Sequence, residues 1–405
     1  MSIERIAIIG GGAAGFFAAI SAKQHDPSSQ VTIFEKSNKV LAKVKVSGGG
    51  RCNVTHACFK PSELAKFYPR GSKHLRKAFD QFATQDTVDW FESRGVRLKT
   101  ESDGRMFPTT DNSQSIIDCL QAEVKRLGVH IAMSTAILGI EKHKDEFQLT
   151  LKDDKKSFEK VIVATGGSPK ADGFKWLEDL GHTVSSPVPS LFTFNMPQEG
   201  IKSLMGLSVP HANVRVQGTK LTQSGPLLIT HWGMSGPAIL KTSAWGARLL
   251  SDLDYHFIIH VNWLGDKKEE TLRAEIDEML QRFGKRMLRN KNPFLLPQRL
   301  WEYMLDKIDL DLEKPWSEVG KKGLNRLVNT LLNDQYQVAG KTTFKEEFVT
   351  CGGINLAEVD FKTMQSRVCD GLHFAGEVLD IDGVTGGFNF QAAWTTGFIA
   401  GKHSE

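Results

Sequence analysis

The sequence has 405 residues, enough for two or three domains, and 40% of them are hydrophobic, which is ordinary for a globular protein. A formal net charge of +4 is too small for the whole chain to act as a polyanion binder. No run approaches the roughly 20 apolar residues of a membrane span. Five cysteines without CxxC spacing argue against a disulfide framework, a dithiol pair or a structural metal. With no signal peptide visible, we expect a cytoplasmic protein that does not enter membranes.

The chain begins with a predicted strand, tight turn and helix. Residues 5–9 are apolar, Gly10, Gly12 and Gly15 follow in GxGxxG spacing, and an alanine-rich apolar segment continues the pattern. Such a unit binds the pyrophosphate of a dinucleotide at the helix N-terminus. The spacing alone is weak evidence, since a glycine turn occurs in other αβ units. Glu35 strengthens it, because this acid ends a second strand about 20 residues later, where a carboxylate can accept ribose hydroxyls.

Two further glycine segments favour a bound dinucleotide. Residues 47–53 read Ser-Gly-Gly-Gly-Arg-Cys-Asn, which would let the backbone lie against a phosphate or a flat ring. Residues 161–167 predict a buried strand that breaks at two glycines.

In the segment 47–53, Arg51 precedes Cys52, and the charge of Arg51 could lower the pKa of the Cys52 thiol and make it reactive. A packing role for Cys52 is the favoured interpretation.

The middle of the chain predicts a β-rich segment followed by a helical one. Apolar runs and alternation indicate strands between about residues 191 and 264, among them one over 255–261. From about residue 266 the apolar spacing changes to a helical period, and further helices are predicted over 298–308 and 323–333. No second GxGxxG occurs. A separate nicotinamide domain is therefore not expected, and any NAD(P)H would dock transiently.

Residues 230–237 interrupt the predicted strands with small residues and read Thr-His-Trp-Gly-Met-Ser-Gly-Pro. His231 is a candidate proton donor because imidazole titrates near physiological pH, and Ser235 could orient a carbonyl group. A histidine among apolar neighbours is more often a packed residue. Both interpretations of His231 stay open.

Basic residues concentrate in two runs without acids, residues 66–77 and 282–299. Clusters of lysine and arginine can contact RNA phosphates when they share a face. A solvated surface is the more common outcome for such runs. RNA contact through these two segments is therefore a hypothesis.

The C-terminal segment contains the predicted partner of the first glycine turn. A predicted strand ends at Gly376 and Glu377, and a helix is predicted to begin after Gly386 and Gly387. The amides at that helix start would stabilise negative charge on an electron-rich ring such as a reduced flavin. Although almost the whole chain separates them, the two ends are predicted to build one cofactor site.

Together these motifs resemble the two-dinucleotide-binding-domain flavoproteins. They are most similar to bacterial FAD enzymes with SGGGRCN and TGGxNxQxA signatures, here residues 47–53 and 385–393. The resemblance runs from residue 5 to residue 401. The family includes aminoacetone oxidases, bile-acid dehydro-intermediate reductases and a 23S ribosomal RNA dihydrouridine synthase, so it implies FAD more firmly than a substrate. This chain departs from many relatives in having Leu-Ala-Lys at 41–43 instead of Gly-Arg-Lys, and in a shorter loop after Gly167.

The motifs and the resemblance predict an α/β fold with a Rossmann-like FAD-binding domain built from both chain ends. We assign residues 1–188 and 350–405 to this domain. An inserted β-rich domain is predicted at 189–265 and a helical subdomain at 266–349.

The resemblance also implies the site residues. Catalytic roles are predicted for His231, Ser235, Arg51 and Asn389, and no metal ligands are expected. Ala136 and Ile137 would approach the adenine through their backbone. The predicted cofactor-binding residues are Gly10, Gly12, Ala14, Gly15, Glu35, Lys36, Ser47, Gly48, Gly49, Gly50, Arg51, Cys52, Asn53, Ala136, Ile137, Ala164, Thr165, Gly166, Gly167, Gly376, Glu377, Gly386, Gly387, Phe388 and Asn389.

The predicted activity is that of an FAD-dependent oxidoreductase. NAD(P)H-driven reduction of a conjugated C=C or C=N bond fits best, with uracil in ribosomal RNA as one substrate that would also explain the basic segments. Two alternatives stay open. One is an amine oxidase that passes electrons to O2, as aminoacetone oxidases do, and the other is a non-catalytic flavin-bound scaffold for RNA or a partner.

Overall fold

The computed structural model describes residues 3–343 and 349–402 and divides the chain into two compact units. The first unit combines residues 1–190 with 344–405, and the second holds residues 191–343. The first unit thus contains both ends of the chain. The boundary expected between a β-rich domain ending at residue 265 and a helical one falls inside the second unit.

The N-terminal part of the first unit follows the predicted order of strand, turn, helix and strand. Its first strand is almost completely buried, and so is most of the following helix, so both belong to the core. In chain order its elements are β1 (Arg5–Ile9), α1 (Ala13–His25), β2 (Gln30–Phe34), α2 (Ala42–Gly50), β3 (Thr55–His56), α3 (Pro61–Leu64), α4 (Ser72–Phe79), α5 (Thr84–Glu92), β4 (Leu98–Thr100), β5 (Arg105–Pro108), α6 (Gln114–Arg126), β6 (His130–Ala132), β7 (Gly139–His143), β8 (Glu146–Thr150), β9 (Lys155–Phe158), β10 (Lys160–Val163), α7 (Lys175–Glu178) and β11 (Val184–Ser190).

The second unit combines an antiparallel sheet with helices. Its elements are β12 (Thr193–Asn195), β13 (Ser208–Val216), β14 (Thr222–Ile229), β15 (Gly233–Ser235), α8 (Pro237–Trp245), α9 (Ala247–Asp252), β16 (His256–Asn262), α10 (Glu269–Phe283), α11 (Gln298–Lys307), α12 (Gly320–Asn333), β17 (Asp334–Ala339) and β18 (Lys341–Thr342). The strand order is β17-β16-β13-β14-β15-β12-β18. Strands and helices predicted over 255–261, 298–308 and 323–333 are confirmed as β16, α11 and α12.

One core joins the sheet and the helices of the second unit. Val214 and Ile259 from the sheet are fully buried in the same cluster as Leu272, Trp301 and Leu327 from α10, α11 and α12. Neither the sheet nor the helices could bury these side chains alone. This shared core explains why the two predicted domains form a single unit.

The chain then returns to the first unit through β19 (Val349–Ile354), β20 (Val359–Asp360), β21 (Gln365–Ser366), β22 (Leu372–Phe374) and α13 (Phe388–Lys402). The main sheet has the order β20-β21-β22-β10-β1-β2-β6. Its strands from β22 to β6 are parallel, so their carboxyl ends lie along one edge. In open sheets of this kind ligands bind outside that edge. Among the described residues no helix is long and apolar enough to cross a membrane.

The first and last helices of the chain, α1 and α13, pack directly against each other. A Cβ atom on Gly397 would lie 2.5 Å from the carbonyl O of Ala14, so the backbones approach as closely as a glycine permits. Beside this crossing, the rings of Phe17 and Trp394 have centroids 4.7 Å apart. The packing fixes the start of α1 relative to the C-terminal segment.

Candidate cofactor site at the ends of the parallel strands

In the turn between β1 and α1, two of the three glycines pack tightly against other backbone, and the third leaves free space beside it. A Cβ on Gly10 would lie 2.3 Å from the carbonyl O of Ala164, and a Cβ on Gly15 would lie 2.0 Å from the carbonyl O of Gly10. A Cβ on Gly12 would meet no atom within 4 Å. At Gly12, therefore, a pyrophosphate can approach the backbone and the N-terminus of α1.

The carboxylate of Glu35 lies beside this turn, at the end of β2. Its Oε2 accepts a hydrogen bond from the N–H of Gly11 (2.9 Å), and its Oε1 accepts one from the N–H of Ser37 (2.8 Å). The loop that contains residues 136–137 runs next to it, since the N–H of Thr135 donates to the carbonyl O of Glu35 (2.8 Å). This arrangement places a ribose acceptor and the predicted adenine-binding backbone together.

The triple-glycine loop has an unusual left-handed backbone. Helix α2 is interrupted at Ser47, whose ψ of 148° is not helical. Residues 48–50 have φ of 59°, 69° and 84°, and Cys52 has φ of 62°. A Cβ atom on Gly49 or Gly50 would meet no atom within 4 Å. Glycine alone adopts such consecutive left-handed conformations readily, and the open backbone at Gly49 and Gly50 lets a phosphate or a flat ring approach closely.

Arg51 and Cys52 both have interactions within the protein. Cys52 is fully buried, and burial raises the pKa of its thiol to about 12. One guanidinium nitrogen of Arg51 lies 2.6 Å from Glu101, and its guanidinium carbon lies 4.0 Å from the ring centroid of Phe107. The structure thus favours a packing role for Cys52 over a reactive thiolate. A direct catalytic role for Arg51 stays a prediction.

Hydrogen bonds join the glycine loop to the C-terminal segment. Thr55 Oγ1 donates to Gln391 Oε1 (2.6 Å). When the amide of Asn53 is oriented to donate to the carbonyl O of Thr55, its oxygen accepts from the N–H of Gly387 at 3.0 Å. The structure therefore brings the SGGGRCN and TGGxNxQxA motifs together, as the sequence predicts.

The ends of β10 and β22 meet at Gly167 and Glu377. Glu377 accepts a hydrogen bond from the N–H of Thr350 (2.8 Å) and pairs with Lys43 Nζ (2.7 Å). A Cβ on Gly167 would lie 2.8 Å from the carboxylate. Residues 41–43 differ from many relatives at their first two positions, but the lysine at position 43 is the same. Through this lysine, α2 is connected to the C-terminal part of the site. Glu377 is thus engaged mainly in holding these elements together.

The start of α13 is shaped by Phe388 and Asn389. Asn389 Oδ1 accepts from the N–H of Gly383 (2.8 Å), and its Nδ2 donates to the carbonyl O of the same residue (3.0 Å). The buried ring of Phe388 stacks on Phe67 and His56, with centroids 4.4 Å and 4.6 Å apart. Both side chains therefore hold the turn before α13 in place. A direct catalytic role for Asn389 stays a prediction.

A buried ion pair that the sequence does not reveal anchors the same turn. Asp382 is fully buried, pairs with the guanidinium of Arg70 and accepts a hydrogen bond from Ser190 Oγ (2.6 Å). Burial raises the pKa of Asp382 to about 6, although Arg70 and Ser190 act in the opposite direction. The signal that could have indicated it is an aspartate inside an apolar stretch, at residues 378–384.

His231 and Ser235 lie in the second unit. His231 is exposed, and its ring contacts Trp232 edge-on with centroids 4.2 Å apart. Ser235 is half-buried at the end of β15. The exposed ring does not match the packed-histidine alternative. The roles of proton donor and carbonyl-orienting group stay predictions.

The arrangement in the first unit fits FAD. Space for a ligand lies beside the backbone of Gly12, Gly49, Gly50 and Gly166, where an added Cβ would meet no atom within 4 Å. A helix N-terminus, an open glycine backbone and a carboxylate supply the phosphate and ribose contacts that a dinucleotide needs. Other predicted cofactor-binding residues follow the strand ends, namely Lys36, Ala164, Thr165 and Gly376, and Ala14 lies in the first turn of α1.

Comparison with known proteins agrees with this site. Residues 4–403 match the family described as HI0933-like protein Rossmann domain. The chain belongs to this family. It is 30% identical over 404 residues to the ribosomal RNA dihydrouridine synthase of Escherichia coli, a match that covers 98% of this chain and 96% of the relative. It is 26% identical over 408 residues to the 3-dehydro-bile acid delta(4,6)-reductase of Clostridium scindens, with coverage of 99% and 98%.

A solved structure resembles this protein along its whole length. The 3-ketosteroid delta1-dehydrogenase of Sterolibacterium denitrificans has a TM-score of 0.51 and 12% identity, and the match covers 100% of this chain and 99% of the other. At that identity the likeness concerns the fold alone. The family match, the near-full-length relatives and the dinucleotide site together make this protein an FAD-dependent oxidoreductase.

Replacing Gly12 with valine should weaken FAD binding without unfolding the protein. The φ of −92° at Gly12 suits any residue, and the new Cβ meets no protein atom, so the apoprotein has no reason to lose stability. The side chain would instead crowd the pyrophosphate, which costs about 1–3 kcal/mol and lowers affinity roughly ten- to hundredfold. FAD titration followed by flavin fluorescence measures the affinity, and thermal unfolding of the apoprotein checks the fold.

Gly139→Ala in β7 is a suitable control, since its Cβ would lie at an ordinary 3.8 Å from Thr150. This variant should bind FAD like the wild type. Unchanged FAD affinity in Gly12→Val would show that the pyrophosphate does not lie at this turn.

Replacing Asp382 with asparagine should change how stability depends on pH. Because the folded-state pKa of Asp382 is raised to about 6, the folded protein keeps a proton that the unfolded chain has released. This group therefore contributes stability that is present at low pH and lost as pH rises through about 6. The difference in Tm, wild type minus Asp382→Asn, should fall between about pH 5 and about pH 7.5. A constant difference would mean that Asp382 does not titrate in this range.

Proposed function

We propose that this protein uses NAD(P)H to reduce a C=C bond conjugated to a carbonyl, and that its substrate is uracil in structured RNA. The open backbone at Gly12, Gly49, Gly50 and Gly166 carries the proposal, because it offers space for a dinucleotide along the strand ends. The names of two near-full-length relatives support the reductive direction. One describes dihydrouridine synthesis in ribosomal RNA and the other a bile-acid reductase.

A transient electron donor is consistent with the architecture. A nicotinamide domain of the glutathione-reductase kind would bring its own parallel sheet and glycine turn. Among the described residues, parallel pairing joins strands in the main sheet of the first unit, and the sequence has no second GxGxxG. NAD(P)H would therefore bind only for the reductive half of the reaction.

The residues of this chain would bind and orient the reactants. When bound, FAD supplies the two-electron transfer that links nicotinamide to an unsaturated substrate. The amides at residues 48–50 and the N-terminus of α1 would hold its phosphates, and Glu35 would accept ribose hydroxyls. Reduction of a C=C bond also consumes a proton. We assign that proton to the imidazole of His231, with the hydroxyl of Ser235 orienting the carbonyl.

An anaerobic experiment tests the proposed reaction. Addition of NADH or NADPH should bleach the flavin absorption of the purified protein, and a uracil-containing ribosomal RNA fragment should then restore it. Nucleoside mass spectrometry of the RNA should show dihydrouridine, which carries two more hydrogens than uridine. A flavin that stays oxidised with both nucleotides, or rapid O2 consumption with an amine substrate, would contradict a reductase.

Replacing His231 with glutamine should slow substrate reduction by about two to four orders of magnitude, as expected for loss of a general acid. Bleaching of the flavin by NAD(P)H should keep its wild-type rate, because that half-reaction needs no proton from His231. Stopped-flow absorbance separates the two rates. His211→Gln is a matched control, since His211 is another exposed histidine of the second unit. A wild-type rate of substrate reduction in His231→Gln would exclude His231 as the donor.

The cytoplasmic location stays a prediction. The same holds for contact of RNA with residues 66–77 and 282–299.

A further inference from the structure

The outward face of α12 has a regular polar pattern. Leu327, Val328 and Leu331 of this helix are buried in the core of the second unit. On the opposite face of the helix, polar side chains recur every four residues, which places them one above another along the helix axis. From the first to the last, the row extends over about 18 Å, at about 1.5 Å per residue. The row consists of Lys321, Asn325, Asn329 and Asn333.

This face is cationic and has no acid of its own. Helix α12 contains no aspartate or glutamate, and Lys322 and Arg326 lie beside the row. No ion pair of Lys321 or Lys322 occurs within the described residues. Arg326 lies 3.9 Å from Asp309, whose carboxylate is 93% exposed and therefore strongly screened by water. Such a face contrasts with an ordinary solvated helix, on which charges of opposite sign alternate.

Neighbouring elements extend the same face. Arg273 of α10 donates to Asn325 Oδ1 (2.9 Å), and Arg215 of β13 donates to Asn333 Oδ1 (3.2 Å). Arg273 also pairs with Glu269, so its charge is partly balanced. A shallow depression lies on this surface. Its lining consists of Lys321, Lys322, Asn325, Arg326 and Asn329.

The chemistry of this surface suits a nucleic acid backbone. Lysine and arginine pair with phosphates, and asparagine amides both donate and accept hydrogen bonds to phosphates, sugars and base edges. Protein interfaces instead rely on aromatic and large apolar side chains at their centres. The outward row of α12 has none. A polyanion with many hydrogen-bonding groups therefore fits better than an acidic protein.

The two basic segments noted in the sequence are less available. In the segment 282–299, Arg282 pairs with Glu278 (2.7 Å) and Arg289 pairs with Glu313 (2.7 Å). In the segment 66–77, Lys66 pairs with Glu63, and Arg70 with the buried Asp382. Four cations of these segments are thus engaged by acids of the protein, whereas Lys321 and Lys322 of α12 are exposed and have no ion pair within the described residues.

We propose that the outward face of α12, with Arg273 and Arg215 at its sides, is a docking surface for the backbone of structured RNA. The choice of RNA rests on the proposed function. Contacts here would be made mainly to phosphates, so they would anchor many sequences equally and leave selection of the target uracil to the active site.

Fluorescence anisotropy with a labelled, uracil-containing RNA stem-loop tests this surface. Lys321→Ala, Lys322→Ala and Arg326→Ala, combined in one variant, should weaken binding about tenfold or more at moderate salt. The dependence of log affinity on log salt should become shallower by about two to three, because three phosphate contacts are lost. FAD content and Tm should stay close to wild-type values, since Lys321 and Lys322 are exposed and Arg326, which is half-buried, is absent from the apolar core of the second unit.

The matched control combines Arg282→Ala, Lys285→Ala and Arg286→Ala, which removes the same charge from another exposed region of the second unit. This control should bind RNA nearly like the wild type. Equal binding by the α12 variant and the wild type would overturn the proposal, as would a larger loss in the control. Displacement of the RNA by polyglutamate as effectively as by unlabelled RNA would also overturn it, in favour of an acidic protein partner.

The binding assay is independent of catalysis. If the wild type binds RNA through α12 but forms no dihydrouridine, the docking surface stands and the proposed reaction fails. If dihydrouridine forms while the α12 variant binds and reacts normally, the reaction stands and the docking surface fails.

Discussion

The close packing of α1 against α13 is the contact on which the cofactor site depends. Gly397 lets the last helix approach the carbonyl O of Ala14, and Gly376 lies where a side chain would meet the Cβ of Ala14 at 2.9 Å. These approaches fix the N-terminus of α1, which faces the pyrophosphate position, relative to the backbone of the turn at residues 385–387. Two segments separated by more than 350 residues of sequence thus form one site. Larger side chains at such crossings would force the helices apart.

The site in the first unit uses its backbone more than its side chains. Side chains that the motifs bring there mostly support the polypeptide: Asn389 holds Gly383, Arg51 pairs with Glu101, and Glu377 pairs with Lys43. Amides at glycines offer hydrogen bonds without moving long side chains, so little conformational entropy is lost when a ligand binds. Buried Asp382 ties the turn before α13 to Arg70 and Ser190, and breaking a buried ion pair by removing one partner is strongly destabilising.

Local sequence patterns predict local structure and the main features of the site. The spacing of Gly10, Gly12 and Gly15 predicts the first turn because Gly15 packs against the backbone of Gly10, five residues earlier, while Gly12 keeps the approach to the helix N-terminus open. Long-range packing is harder to predict. The rings of Trp301 and Trp316 stack with centroids 5.9 Å apart inside a core shared with the sheet, and nothing in the local periodicity indicates that sharing. The sequence therefore predicts two domains where one core exists.

The sequence also shows where the charged residues lie along the chain, but not which of them are already paired in the folded protein. The run at 282–299 is conspicuous along the chain, yet two of its six cations are paired with acids outside it, Arg282 with Glu278 and Arg289 with Glu313. Helix α12 has fewer cations, but its polar residues recur at about every fourth position, so cations and asparagines lie on one face of the helix. Similarly, the role of Asp382 is hidden in the sequence because its partners, Arg70 and Ser190, are about 200 to 300 residues away. Pairing of this kind depends on the tertiary fold.

The FAD content of the purified protein tests the central claim, that both chain ends build one flavin site. We predict the visible absorption bands of oxidised flavin, and release of one FAD per chain on denaturation. If the protein is isolated without flavin, the apoprotein should regain those bands on incubation with FAD. A folded protein that neither contains FAD nor takes it up would contradict the assignment of the site.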